Sequence, residues 1–122
     1  MAQATILLLE DEPFILMDLE MAAEDLNCQP VPTSNVNSAL QIVKGSGPII
    51  EVGVLDVSLG NGQTCEPVAR ELERRNIPYI LHSGNLDRHN ELLRDLAGKL
   101  VPKPSSSDLV IKIALEQLAL GG

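Results

Sequence analysis

Aromatic side chains are nearly missing from this chain. It has no tryptophan, one phenylalanine (Phe14) and one tyrosine (Tyr79). A flavin site is therefore poorly supported. Basic residues are scarce as well: nine Lys and Arg stand against seventeen Asp and Glu, for a formal net charge of -8. Such a surface argues against nonspecific nucleic-acid binding, which needs a basic face, and against an anionic membrane as partner. No apolar run approaches the ~20 residues that span a bilayer. No basic-then-apolar leader opens the chain, so no signal peptide is expected. Cysteine is limited to Cys28 and Cys65, far apart and at no metal or redox spacing. Two reduced thiols in a cytoplasmic protein are the expectation. Internal repeats and low-complexity tracts are also missing. The 122 residues suit one domain over 1–122, long enough to bury a core without disulfide or metal staples.

What is present is an alternation. "TILLLE" (5–10) is an almost continuous apolar run, as in a parallel strand covered on both faces. Pro13 suits a first helical position, and Ile15, Leu19, Ala22 and Leu26 follow at helical spacing. "QPVPTS" carries Pro30 and Pro32, which places that strand at a sheet edge. Ser34 or Asn35 can cap a second helix, through Lys44. The next strand covers about 50–56, and "SLGNGQ" is a glycine-rich loop. A helix follows from about Cys65 to Arg75, then the strand "IPYILHS" and a "GN" turn. A polar helix "LDRHNELLRDLA" (86–97) leads to a short strand "KLV" and the rigid "PKP". "SSSD" then caps a last helix to Leu120. Strand and helix alternate five times, which predicts an α/β fold with a parallel sheet and helices on both faces. Ligands of such sheets sit outside the carboxyl ends of the strands.

Chemistry-bearing residues collect at those ends. Glu10 and Asp11 follow the first strand, Asp56 the third, Ser83 the fourth and Lys103 the fifth. Packed carboxylates disfavour their own ionisation, so a cation is expected among them. Hard oxygen ligands suit Mg²⁺, which keeps several waters and shares a phosphate oxygen. Three carboxylates, a divalent cation and one ammonium sum to neutrality. A phosphoryl group on one carboxylate would then be held by metal and ammonium together.

On "EDEP", "VLDVSLGNG", "LHSG" and "VPKP", the whole chain resembles a response-regulator receiver domain of two-component signalling. "PYILHSG" is similar to the fourth-strand region of some bacterial single-domain receivers. The resemblance implies a flavodoxin-like (βα)5 doubly wound parallel sheet in strand order 2-1-3-4-5. It implies that Asp56 accepts a phosphoryl group from a histidine kinase or a histidine phosphotransfer protein, and that the chain promotes only its own phosphorylation and dephosphorylation. Asp11, Asp56 and the Ser58 backbone carbonyl would ligate Mg²⁺, with Glu10 acting through a metal-bound water. Ser83 would hydrogen-bond a phosphoryl oxygen. Lys103 would pair with the phosphoryl group, before a cis Lys103–Pro104 bond. Signalling would proceed by contact with a downstream protein or by serving as a phosphate sink. The chain departs from the family pattern at Leu100, where many receivers carry an aromatic switch residue, and more mildly at Ser83 and Glu10.

Bland readings stand beside these. Acidic runs at strand ends are usually solvated loops, and a lone lysine is usually a surface lysine. Asp56 differs, because it follows apolar "VGVL" and should be poorly solvated unless paired. His82 and His89 lack a persuasive metal spacing, and "SLGNGQ" lacks the Gly-Lys-Ser/Thr ending of a phosphate loop. Gly53 reads as a packing accommodation and Gly84 as a turn residue, with close approach of a phosphoryl group as the functional alternative at Gly84. An aspartate-nucleophile phosphatase would place a second aspartate two residues after Asp56, where Ser58 stands. A degenerate receiver acting only as a binding module would not need the set of Asp11, Asp56, Ser83 and Lys103. Nine of the twelve residues from Leu109 to Leu120 are apolar, and the first helix has Phe14, Leu16, Met17 and Met21 beyond its core stripe. Self-association through the first or last helix is the sharper reading of that excess.

Overall fold

The computed structural model describes residues 4–60, 62–84, 95–103 and 105–121. In chain order these form β1 (Thr5–Leu9), α1 (Pro13–Asp25), β2 (Gln29–Thr33), α2 (Val36–Lys44) and β3 (Val52–Asp56). α3 (Glu66–Arg74), β4 (Tyr79–Ser83), β5 (Lys99–Pro102) and α4 (Ser107–Gly121) follow. The helix read over 86–97, with His89, falls largely outside the described residues, as does Pro104 of the Lys103–Pro104 bond.

The five strands are all parallel, in the order β2-β1-β3-β4-β5. This is the flavodoxin-like order that the sequence resemblance implied. The two prolines of β2 fall on an edge strand with one neighbour, where their missing N–H groups cost little. β1 and β3 are buried on both faces because helices cover the sheet on each side. On one face Leu7, Leu9, Leu55 and Leu81 pack against Ala39 and Val43 of α2 and Val68, Ala69 and Leu72 of α3. On the other, Ile6, Leu8, Val54 and Ile80 meet Leu19, Ala22 and Ala23 of α1 and Val110, Ile111 and Ala114 of α4.

Local chemistry sets the element ends. Pro13 occupies the first turn of α1, and the Glu12 carboxylate accepts the Phe14 N–H at 3.4 Å. Asn35 caps α2 by accepting the Ser38 N–H at 2.8 Å. Asn27 and Asn76 stand just beyond α1 and α3 with φ of 60° and 59°, the left-handed conformation that asparagine tolerates after a helix. Gly98 is required by contact: a Cβ there would lie 2.3 Å from Cε2 of Tyr79.

Two readings of apolar excess change with the structure. Leu16 is half-buried against the α1/α4 core and is not spare. Along α4 the apolar side chains are mostly buried or half-buried, with Leu109 and Leu120 the large exposed ones. A helix lying over the middle of a sheet buries a wider arc than one stripe.

Candidate functional site

The topological switch point lies between β1 and β3, which run side by side while β2 turns away. At their carboxyl ends a cavity of about 610 Å³ opens. It is lined by Glu10, Asp11, Glu12, Ile15, Asp56, Ser58, Gly62, Gln63, Thr64, Ser83, Gly84 and Lys103. Every residue singled out as a ligand or reactive group in the sequence reaches this one cavity. Glu12 belongs to the acidic run after the first strand, whereas Ile15, Gln63 and Thr64 were not foreseen there.

Strand alternation builds the floor. Ile6 and Leu8 face the α1/α4 core, as do Val52 and Val54. Glu10 and Asp56 continue those rows past the last apolar positions. Both are almost fully buried, at 1% and 5% exposure, whereas Asp11 faces solvent. Carboxylate oxygens of the three lie within 4.8 Å of one another, a group that could hold a metal ion. The donors are all hard oxygens, which fits a hard divalent cation.

Lys103 supplies the internal counter-charge. Its Nζ stands 3.3 Å from Glu10 Oε1 and 3.3 Å from Asp56 Oδ1. Glu10 is further fixed by the Glu12 N–H, which donates to its Oε2 at 3.1 Å. Burial, then the charge of Glu10, raises the Asp56 pKa well above the usual carboxylate range, while Lys103 pulls it back. On Lys103, burial lowers the pKa, but Asp56 and Glu10 outweigh it and leave the ammonium more firmly protonated.

The β3–α3 loop closes the far wall. Ser58 and Thr64 form an antiparallel bridge, with Leu59 N–H donating to Gln63 O at 3.0 Å and Cys65 N–H to Val57 O at 3.1 Å. This pattern leaves the Ser58 carbonyl out of the bridge, so it can serve as a ligand. Gly60 and Gly62 turn the loop at φ of 72° and 73°. A Cβ on Gly60 would also approach Asp11 Oδ2 to 3.3 Å. The glycine-rich "SLGNGQ" thus shapes a hairpin beside the carboxylates and is no phosphate loop.

Ser83 ends β4, buried on the cavity wall, and its carbonyl accepts the Lys103 N–H at 2.9 Å. Gly84 is exposed and lines the same cavity. Gly53 is a packing accommodation as expected: a Cβ would meet Leu72 Cδ1 at 3.0 Å.

No protein-family model and no curated protein matches the sequence. Solved structures do match. A response regulator receiver protein from Sinorhizobium medicae WSM419 aligns with TM-score 0.85 at 24% identity, over 98% of each chain. A CheY-like response regulator receiver domain protein from Methanospirillum hungatei JF-1 gives 0.82 at 16% identity, over 98% of this chain and 97% of that one. SdrG from Sphingomonas melonis Fr1 is 35% identical, with TM-score 0.77 over 98% of this chain and 99% of its own. With a whole-length relative at that identity and this fold from end to end, the chain belongs to the response-regulator receiver family.

Proposed function

We propose that this chain is a phosphoacceptor switch in which Asp56 takes a phosphoryl group from a phosphohistidine of a histidine kinase or phosphotransfer protein. The observation that carries the reading is the Lys103 ammonium, shared between buried Glu10 and buried Asp56 while Asp11 faces the open cavity. In the step, an Asp56 carboxylate oxygen forms a bond to phosphorus. The phosphorus–nitrogen bond breaks, and the leaving imidazole keeps the electron pair and takes up a proton. Phosphoryl transfer of this kind needs mainly positioning and charge stabilisation.

The chain's own groups divide that work. Lys103 holds Asp56 in place and faces the incoming phosphoryl oxygens. Ser83 offers a hydroxyl from the cavity wall. Asp11, Asp56 and the Ser58 carbonyl would hold Mg²⁺, with Glu10 acting through a bound water. The metal supplies positive charge for the phosphoryl oxygens. The chain promotes only its own phosphorylation and dephosphorylation, in the cytoplasm.

Partner contact falls to α1. Phe14, Met17 and Met21 are 74%, 50% and 55% exposed and form one helical stripe beside the cavity. This apolar stripe amid acidic residues suits an apolar and basic helix of the phosphodonor. A homodimer through α1 or α4 uses the same kind of surface, and sedimentation with and without phosphorylation separates the two. Output is contact with a downstream protein or diversion of phosphate.

The test is incubation with acetyl phosphate and Mg²⁺, followed by intact mass and site mapping. The wild type should gain one phosphoryl group on Asp56, and Asp56→Asn none. Labelling of that variant, or of wild type in chelator, would sink the reading.

A further inference from the structure

Among the described residues one buried side chain has no hydrogen-bond partner: His82, at both Nδ1 and Nε2. It is 4% exposed and stands opposite Asp56 in the parallel β3–β4 register. Ile80, two residues earlier, faces the α1/α4 core together with Val54. Alternation therefore turns His82 and Asp56 to the same side of the sheet as neighbours. Ser83 is the next residue. Lys103 crosses the end of the same strand, since a Cβ on Gly84 would lie 3.5 Å from Lys103 Cβ and 3.7 Å from its Cδ. Burial, then the nearby Lys103 charge, pushes the His82 pKa down to about 4, so the ring is neutral at pH 7.

A neutral imidazole carries one N–H and one bare nitrogen. Leaving them unpaired in a buried site is costly, and a leucine there would carry no such cost. Unsatisfied groups of this kind cluster at functional sites. The neighbours of His82 on its side of the sheet are the acceptor and the Lys103 arm. A polar cost placed deep in the core would weigh equally on every state of the protein. One placed here can differ between states, and only a difference shifts a conformational equilibrium.

We infer that His82 is a positioning residue of the switch: its unpaired ring penalises the resting packing under Lys103, and phosphorylation of Asp56 relieves the penalty by bringing the Lys103 ammonium to the bare ring nitrogen. The inference rests on the phosphoacceptor reading. Lys103 Nζ has three donors, and its two carboxylate contacts are 3.3 Å each, long for charge-assisted bonds. Phosphorylation converts the Asp56 carboxylate to an acyl phosphate and carries its charge outward. The ammonium then pairs with a phosphoryl oxygen and Glu10, and its third N–H is left for the bare imidazole nitrogen.

Beryllofluoride with Mg²⁺ is the probe, a stand-in for the phosphoryl group. His82→Leu should raise the urea midpoint of the resting protein and weaken beryllofluoride binding about tenfold. His82→Gln, which keeps an acceptor, should recover part of that affinity. The imidazole ¹⁵N shifts of the wild type should move on binding. Equal stabilisation of His82→Leu in the free and bound states, with unchanged affinity and unmoved ring shifts, overturns the inference. So does a His82→Leu protein less stable than wild type, because the ring would then be satisfied at rest. Wild type that takes neither acetyl phosphate label nor beryllofluoride overturns the phosphoacceptor reading itself. Wild type that takes both, with His82→Leu indistinguishable from it, overturns only the role of His82.

Discussion

Lys103 follows β5 and Asp56 ends β3, strands separated by β4, yet the ammonium reaches the carboxylate at 3.3 Å across the strand between them. The lysine thus links the edge of the sheet to its centre, and the same atom also contacts Glu10, just past β1. One side chain ties together three strand ends whose residues are remote in sequence.

Removing that tie should be felt before any phosphate arrives. Lys103→Ala leaves Glu10 and Asp56 buried with no internal cation. Breaking a buried pair is costly, although partial exposure of the Lys103 side chain reduces the effect. A loss of about 1–3 kcal/mol at neutral pH in chelator is expected. Urea unfolding measures it, and added Mg²⁺ should narrow the gap to wild type. An unchanged midpoint in chelator would show that the two carboxylates are satisfied without the lysine.

Asp11 should behave in the opposite way. It is exposed and adds negative charge to a cluster already holding two carboxylates. Asp11→Ala should therefore be no less stable than wild type in chelator, because like-charge repulsion falls. Divalent binding, followed by calorimetry or amide shifts at the cavity, should be largely lost. A variant that is clearly destabilised without metal contradicts this account.

The order of strand ends in the sequence made this site legible. Glu10, Asp11, Asp56, Ser83 and Lys103 each follow an apolar run, and parallel topology forces such positions to one edge. The edge position of β2 could be read from Pro30 and Pro32. What could not be read was set by tertiary contact. Gln63 and Thr64 reach the cavity because the loop folds back on Ser58, a pairing that has no periodic signature. Gly60 reads as a turn residue, but its neighbour Asp11 is remote in sequence. The signal for His82 was present in its alternation with Ile80 along "YILHS". That its ring finds no partner is set by tertiary packing and has no signature in the sequence.

At the opposite end of the sheet the Tyr79 hydroxyl donates to Glu73, which also accepts the Ala97 N–H at 2.8 Å. Gly98 lies against the same ring. Gly98→Ala forces a methyl into the tyrosine and into its backbone oxygen, 2.9 Å away. Overpacking of this kind costs about 1–3 kcal/mol. Tyr79→Phe loses one hydrogen bond, about 1 kcal/mol, and keeps the ring in place. Thermal unfolding should rank Gly98→Ala as the more damaging of the two. The reverse order would place the energy of this end in the hydroxyl network.

The pH dependence of stability should conceal two opposing titrations. The Asp56 pKa rises from an ordinary 3.8 to about 7 in the folded protein, through burial and Glu10. Between those values the native state holds a proton that the unfolded chain has lost. This contribution to stability is present at low pH and is lost as pH rises through the window. His82 does the reverse. Its pKa falls from 6.5 to about 4, through burial and Lys103. The unfolded chain then binds the extra proton, and stability is gained as pH rises across that interval. Each slope is at most about 1.4 kcal/mol per pH unit, and in the overlap, from about pH 4.5 to 6, the two largely cancel. Wild type in chelator should therefore vary little there. Asp56→Asn should become more stable with rising pH, and His82→Leu less stable. Urea unfolding at constant ionic strength across that interval resolves the slopes. Parallel pH profiles for all three proteins would mean that neither buried group titrates between its folded and unfolded values.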